Sequence, residues 1–429
     1  MMHTIEKIDV EGFWDSYSFP VKIDQNVAFF IGQNGTGKTT LINLIASALT
    51  ADFRTLDRLP FRKITINLRP IKGNIKPTIS VEKTKRKDRP VEIIEYTINT
   101  GKPHSKERRF SLDEDEEQIL LRRFIHESRH MEYYRRYQSG IRAELQNLVS
   151  VNWLSVHRIS PFERAGESRS FESSIDQKLE SLSNDLVKYF ATLSKSKDDE
   201  IRVFQESLFI SLLHQAENAD PIEFERLQRI EMYKESLQKI FAELHVSEQT
   251  ASRMSDFLML ADKIQIRSKD SKNKTILLND ALFLASLQRI EDVVRRWGEL
   301  QDRLKIIFSH RDKFQEIADQ LFRRKKMTFS ESNELKFLSR SGKTLLPQML
   351  SSGEKQLLIL MSETLLQRQN PAIFIADEPE LSLHVIWQER LIGSLRALNP
   401  NAQIIVATHS PDIVGNLTEK TIDMEDVIK

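Results

Sequence analysis

The strongest constraint on the fold is one stretch near the N-terminus. There the apolar run Val27–Ile31 stops at Gly32 and gives way to Gln33-Asn34-Gly35-Thr36-Gly37-Lys38-Thr39. An uninterrupted apolar run reads as a strand buried on both faces, which commits the chain to a sheet covered by helices. A helix must follow, because Leu41, Ile42, Leu44, Ile45 and Leu49 recur at the spacing that buries one helical side. Between strand and helix, the glycines let the backbone turn its N–H groups inward, and the helix N-terminus adds its positive end. The pattern predicts a phosphate loop in which Asn34, Gly35, Thr36, Gly37, Lys38, Thr39 and Thr40 face a nucleotide. Lys38 would reach the β- and γ-phosphates, and the Thr39 hydroxyl would ligate Mg²⁺. A chance glycine-rich turn is the plain alternative, and the strand and helix on either side count against it.

A second apolar strand, Ala372–Ala376, delivers Asp377 and Glu378 to its carboxyl end, where ligands collect in open α/β sheets. Asp377 is the predicted Mg²⁺ holder, and Glu378 the general base that polarises an attacking water. An acidic pair after a strand is weak evidence alone, since it also caps helices. Beside a phosphate loop it gains weight.

Around these pieces the texture changes twice. Short strand-like runs at Ile5–Val10 and Phe19–Ile23 open the chain, and alternating strands between Lys63 and Thr100 read as an antiparallel sheet beside the main one. Residues 107–149 are charged and helical in pattern, with an acidic first turn, and a short strand is expected at Val151–Val156. Residues 165–330 hold only Gly166 and Gly298, and two helical patterns: Ile175, Leu179, Leu182, Leu186, and Leu287, Ile290, Val294, Trp297, Gln301, Leu304, Phe308. The second alternates threes and fours, as a coiled-coil seam does. Asp220-Pro221 reads as a helix cap followed by proline at the first helical position. After about 335 the α/β texture returns, with a helix near Ser351, a helix over Leu383–Leu398 and a strand at Ile404–Ala407. The expected organisation is therefore a head made of 1–164 and 331–429, interrupted by a helical insertion over 165–330.

Three further strings carry a resemblance. Leu350-Ser351-Ser352-Gly353-Glu354-Lys355-Gln356 resembles the ABC signature; Asp377-Glu378-Pro379-Glu380 runs into Leu381-Ser382-Leu383-His384; and Ala407-Thr408-His409-Ser410-Pro411 follows the last strand. With the phosphate loop they resemble, in order, the motifs of ABC-type ATPases of the RecF, SMC and OLD grouping, over roughly residues 1–60 and 340–415. The resemblance implies an ABC ATPase head, a mixed α/β sheet with an antiparallel lobe, interrupted by a coiled-coil-like insertion. It implies ATP and Mg²⁺ as cofactors and a head-to-head dimer, in which Ser351 and Gly353 cap the γ-phosphate held by the opposite subunit. His409 falls at the switch histidine, next to the γ-phosphate or attacking water. A plain helix cap at Ser351 is the alternative. Phe13, Trp14 and Tyr17 are all candidates to stack on adenine, and the Mg²⁺-sensing glutamine has no match, His157 and Arg158 standing in its region.

The chain has no cysteine, which excludes disulfides and thiolate chemistry, and 63 basic against 62 acidic residues argue against a globally basic DNA-coating protein. No signal peptide or membrane span is legible, so a cytoplasmic protein is expected. An insertion of about 160 residues allows an antiparallel arm of about 80–100 Å at most, too short for a cohesin-style ring. The chain ends about twenty residues after His409, so the metal-binding nuclease domain of OLD-type proteins is not expected on it. In plan it is most similar to stand-alone ATPase subunits of bacterial anti-phage defence, those of the PARIS and Septu systems, and to retron-associated ATPases. That resemblance implies a slow ATPase acting as sensor and scaffold for a separate nuclease or toxin, in even-numbered oligomers. The alternative is a RecF-like repair clamp on duplex DNA, touching phosphates through Lys83-Thr84-Lys85-Arg86-Lys87, Arg135-Arg136 or Arg323-Arg324-Lys325-Lys326. For any one cluster the plain reading, a solvated turn or helix end, is the favoured one. A transporter ATPase fits worst, because of the helical insertion.

Overall fold

The computed structural model describes residues 2–24, 26–85, 92–101, 107–111, 140–155, 171–213, 230–243, 259–260, 263–264 and 278–428. They fall into two compact units, Met1–Lys188 with His310–Lys429, and Tyr189–Ser309.

The first unit is built on a parallel sheet of five strands in the order β14 (Thr421–Asp423), β3 (Val27–Ile31), β13 (Ala402–Ala407), β12 (Ala372–Asp377), β8 (Val151–Ser155). Strands β12 and β13 are buried along their whole length, as central strands covered on both faces are. Helix α1 (Lys38–Thr50) covers the sheet with Leu41, Ile42, Leu44, Ile45 and Leu49, the side expected from their spacing. The pairing is in register at the carboxyl ends: Phe30 lies opposite Ala407, and Ala407 opposite Asp377. Strand β13 thus stands between the strand that feeds the phosphate loop and the strand that ends on the acidic pair. Across two strand spacings, those two ends are about 10 Å apart.

A six-stranded antiparallel sheet forms the lobe, in the order β2 (Tyr17–Lys22), β1 (His3–Phe13), β4 (Lys63–Pro70), β5 (Thr78–Lys85), β6 (Glu92–Asn99), β7 (Arg108–Ser111). Buried Gln403 of β13 ties it to the parallel sheet, since its amide oxygen accepts from Ile5 N–H and its amide nitrogen donates to the Ile5 and Asp24 carbonyls, each at 2.8 Å. Both sheets share one core, in which Tyr96 of β6 is fully buried and donates its hydroxyl to the Ala48 carbonyl of α1 at 3.1 Å.

Two expectations need correction. Residues 107–149 are not helical from their start: Arg108–Ser111 is β7, paired with β6, with Phe110 on the core. Four residues are too few to show a strand period, and the described part of helix α3 covers 140–148. The acidic turn and Arg135-Arg136 lie outside the described residues. The stretch 325–329, placed with the helices, is strand β9 (Lys325–Phe329) of a three-stranded sheet with β10 (Leu335–Ser339) and β11 (Thr344–Leu345). Its antiparallel pairing with β10, across the turn 330–334, overrides a charged, helix-compatible sequence.

The second unit is helical. Helices α4 (Phe171–Leu213) and α6 (Leu278–Leu321) contribute to it, with α5 (Ile230–Glu243) beside them. Tyr233, Leu237 and Ile240 of α5 are buried against Ile290, Val294 and Trp297, three residues of the expected seam. Trp297 meets Phe204 edge-on at 5.4 Å, and Glu200 accepts from Arg303 at 2.7 Å. Asp220-Pro221 lies outside the described residues. The first unit also holds helices α7 (Ser352–Leu366), α8 (Val385–Leu398), α9 (Pro411–Val414) and α10 (Met424–Val427), with α2 (Phe53–Arg58) after α1. Among the described residues, no helix is long and apolar enough to cross a membrane.

Candidate active site

The phosphate loop joins β3 to α1 through Gly37, which takes φ 88° and opens the helix without a side-chain cap. A Cβ there would meet Phe13 at 2.9 Å and Trp14 at 3.0 Å, so the loop closes against the β1–β2 hairpin only with glycine. Phe13 is fully buried and is thereby removed as a base-stacking candidate. Trp14 is half-buried beside the loop, and Tyr17 is exposed on the same hairpin. Asn34 and Gly35 stand exposed on the loop, with Thr36 half-buried there and Thr40 half-buried in the first turn of α1. Thr36 donates its hydroxyl to the Gln33 carbonyl at 2.9 Å.

Lys38 is buried, and its ammonium donates to the Gly32 and Gln33 carbonyls at 2.9 and 2.8 Å. Burial pulls the lysine below its ordinary pKa, against an upward pull from Glu378, Asp377, Asp423 and Glu425. Thr39 donates its hydroxyl to Asp377 Oδ1 at 3.1 Å, although 338 residues separate them. Such an oxygen pair suits a hard cation that takes its remaining ligands from phosphate and water. Among the described residues, no group of three or more His, Asp or Glu could hold a metal by itself.

Glu378 follows Asp377 with φ 46°, a left-handed backbone uncommon for a side-chain-bearing residue, and its N–H is held by the Ala407 carbonyl at 2.8 Å. His409 emerges from the next strand, β13, with Nε2 3.9 Å from Glu378 Oε1. Glu380, quoted in the sequence only as part of a string, accepts from the Thr408 hydroxyl at 2.6 Å and from the His409 and Ser410 N–H groups at 2.8 and 3.3 Å. Lys38, Thr39, Asp377, Glu378 and His409 are thus gathered at one sheet edge by the order β3-β13-β12.

Ser351 and Gly353 are at the start of α7. Ser351 is the N-cap, and both its N–H and its hydroxyl donate to Glu354 Oε2, at 2.9 and 2.8 Å. Lys325 of β9 pairs with the same carboxylate at 2.5 Å. Burial pushes the Glu354 carboxyl up, but its bonds from Lys325 and Ser351 outweigh this and hold it below its usual value. Gly353 is buried, and a Cβ there would lie 2.3 Å from the Ser382 carbonyl oxygen. Gln356 donates to the Pro379 carbonyl at 3.2 Å, so α7 packs on the segment that follows the acidic pair.

Sequence reasoning missed Glu380, the Lys325–Glu354 pair, and the carboxylates of Asp423 and Glu425 beside Lys38. Only Glu354 had a local signal, the three-residue capping-box spacing after Ser351. His157 and Arg158 lie outside the described residues. Two basic-cluster residues are used inside the fold: Lys325, and Lys83, which donates to the Asp57 and Leu59 carbonyls at 2.9 and 2.7 Å.

Residues 27–415 match the protein family described as "AAA domain, putative AbiEii toxin, Type IV TA system". Similar curated proteins are the "Retron Vc95 probable ATPase" of Vibrio cholerae serotype O1 biovar El Tor, 34% identical over 84 residues, and the "Retron Ec83 probable ATPase" of Escherichia coli, 37% identical over 84 residues. Each match covers 17% of this chain and 16% of the relative's length. Among solved structures, the Smc head domain with an extended coiled coil from Pyrococcus furiosus, bound to the C-terminal domain of ScpA, is 14% identical with a TM-score of 0.45, over 100% of this chain and 95% of that one. The Smc head with coiled coil and joint from Pyrococcus yayanosii is 15% identical with a TM-score of 0.38, over 97% and 94%.

Proposed function

The chain belongs to this AAA-domain family, and from that premise we propose that it is an ATP-hydrolysing switch whose complete sites form between two copies. The observation that carries this reading is the gathering of Lys38, Thr39, Asp377, Glu378 and His409 at one edge, where β13 brings the histidine beside the acid. Backbone N–H groups of residues 34–40 and the Lys38 ammonium bind the β- and γ-phosphates, with Trp14 as the aromatic nearest the base. Thr39 and Asp377 would hold Mg²⁺, which neutralises charge on the phosphates when bound. Glu378 takes the proton from the attacking water, and His409 steadies that water or the γ-phosphate from the adjoining strand. Ser351 and the α7 backbone at Gly353 close the site on the partner's nucleotide.

The retron-associated relatives favour a place in anti-phage defence, with this chain as the sensor and scaffold that controls a separate nuclease or toxin, on the plan of PARIS and Septu. The test has two parts. Glu378→Gln should lower ATP hydrolysis by about 10²- to 10⁴-fold while ATP still binds, and an unchanged rate would overturn the chemistry. Tagged Glu378→Gln protein recovered from its host with ATP should carry a nuclease or toxin on an even-numbered oligomer. A bare dimer that captures only DNA would overturn the defence role and favour a repair clamp.

A further inference from the structure

We propose that Glu380 is a positioning residue, which fixes the turn after β13 in the one backbone shape that brings His409 to Glu378. The inference rests on the reading that these two residues serve hydrolysis. Among the described residues, the His409 imidazole is not tied down by its own bonds: its ring lies 3.9 Å from Glu378, beyond a hydrogen bond, and its side chain is 36% exposed. Its place is therefore set by the backbone that carries it. That backbone converges on one oxygen. Glu380 Oε1 takes the Thr408 hydroxyl at 2.6 Å, the His409 N–H at 2.8 Å and the Ser410 N–H at 3.3 Å.

The 2.6 Å contact is in the range of a hydroxyl donating to an ionised carboxylate, the stronger class of hydrogen bond. Thr408 is 1% exposed and its N–H is anchored to the Phe30 carbonyl at 3.1 Å, so the turn starts from a fixed point on β3. Gln388 completes the hold, accepting from the Ser410 hydroxyl at 2.7 Å and donating to the Leu383 carbonyl at 2.8 Å. Glu378 and Glu380 belong to one short segment, and the Glu378 N–H is bonded to Ala407. The general base and the histidine are thus placed relative to each other by a closed ring of bonds between 378–380 and 407–410.

The experiment is a double-mutant cycle on ATP hydrolysis, read as kcat and KM, with Glu378→Gln as the control for the site itself. Glu380→Ala should lower kcat by about 10- to 100-fold, the usual cost of misplacing a reacting group by an ångström, with KM moved no more than about 3-fold. Glu380→Gln keeps an acceptor oxygen and should restore most of the rate. In a His409→Ala background, Glu380→Ala should add little, because the residue it positions is already gone. If Glu380→Ala does not fold, Thr408→Val removes one of the three donors at constant shape and carries the same cycle. Equal losses with and without His409, or a wild-type kcat in Glu380→Ala, would overturn the proposal while leaving the active site standing. A wild-type rate in Glu378→Gln would overturn both.

Discussion

Two helix N-termini in the first unit serve the same phosphate chain in the proposed switch, and they are built in opposite ways. Helix α1 opens on Gly37 with no side-chain cap and no acidic residue in its first turn, and its first residue is a buried lysine. Helix α7 opens on Ser351, whose N–H and hydroxyl are already taken by Glu354, and Lys325 secures that carboxylate from another strand. The first few N–H groups of any helix lack intrahelical partners, so who satisfies them decides what the end can bind. The α1 end is left to a ligand. The α7 end satisfies itself, and to serve a phosphate Ser351 must exchange one anionic partner for another. In the proposed switch, α1 therefore holds nucleotide within a single chain, while α7 engages only when a second copy presents the phosphate.

The largest expected effect removes the difference from the α1 side. Lys38→Ala takes the buried ammonium from the loop and should weaken ATP binding by about 10²-fold or more, measured by titration with a fluorescent ATP analogue. On the α7 side, Gly353→Ala should cost about 1–3 kcal/mol of stability, read from thermal melting, because the added methyl meets the Ser382 carbonyl 2.3 Å away. Ser351→Ala should lower hydrolysis by about 10-fold, the worth of one hydrogen bond to a charged group, and leave ATP affinity of the separate chain unchanged. The smallest effect concerns acid. A carboxyl whose pKa is lowered on folding contributes stability that is present above its unfolded value and lost as pH falls through the folded one. Below its ordinary value of 4.5, Glu354 should therefore surrender its part in the cap, and the wild-type melting temperature should fall more steeply than that of Glu354→Gln. Parallel melting curves would mean that the self-cap contributes nothing.

The contrast also marks how far the sequence could be read. The strand–loop–helix of 27–50 and the strand ending on Asp377 are legible because unbroken apolar runs and a 3.6-residue period are local signals. The capping alternative at Ser351 is legible too, since Glu354 sits three residues on. The order β3-β13-β12 is not, because strand neighbours are set by packing across hundreds of residues, and that order is what places His409 next to Glu378. Lys325, 29 residues from Glu354, belongs to a hairpin hidden in a charged stretch. Gln403 reads as a polar interruption of β13, and only the folded chain shows it bonded to Ile5 of the neighbouring sheet. For Glu380 the residue type was visible, but its three donors lie 28 to 30 residues later.

The central claim, that one copy's α1 end and another's α7 end make one site, is tested most directly by mixing two disabled proteins. Lys38→Ala spoils only the loop side, and Ser351→Glu, which sets a carboxylate where phosphate should sit, spoils only the α7 side. Each alone should be inactive. After subunit exchange, half of the randomly paired dimers are mixed and each mixed dimer carries one intact site of two, so ATP hydrolysis should return to about a quarter of the wild-type rate. A mixture no more active than its separate components would contradict the account and place the whole of any hydrolysis within single chains.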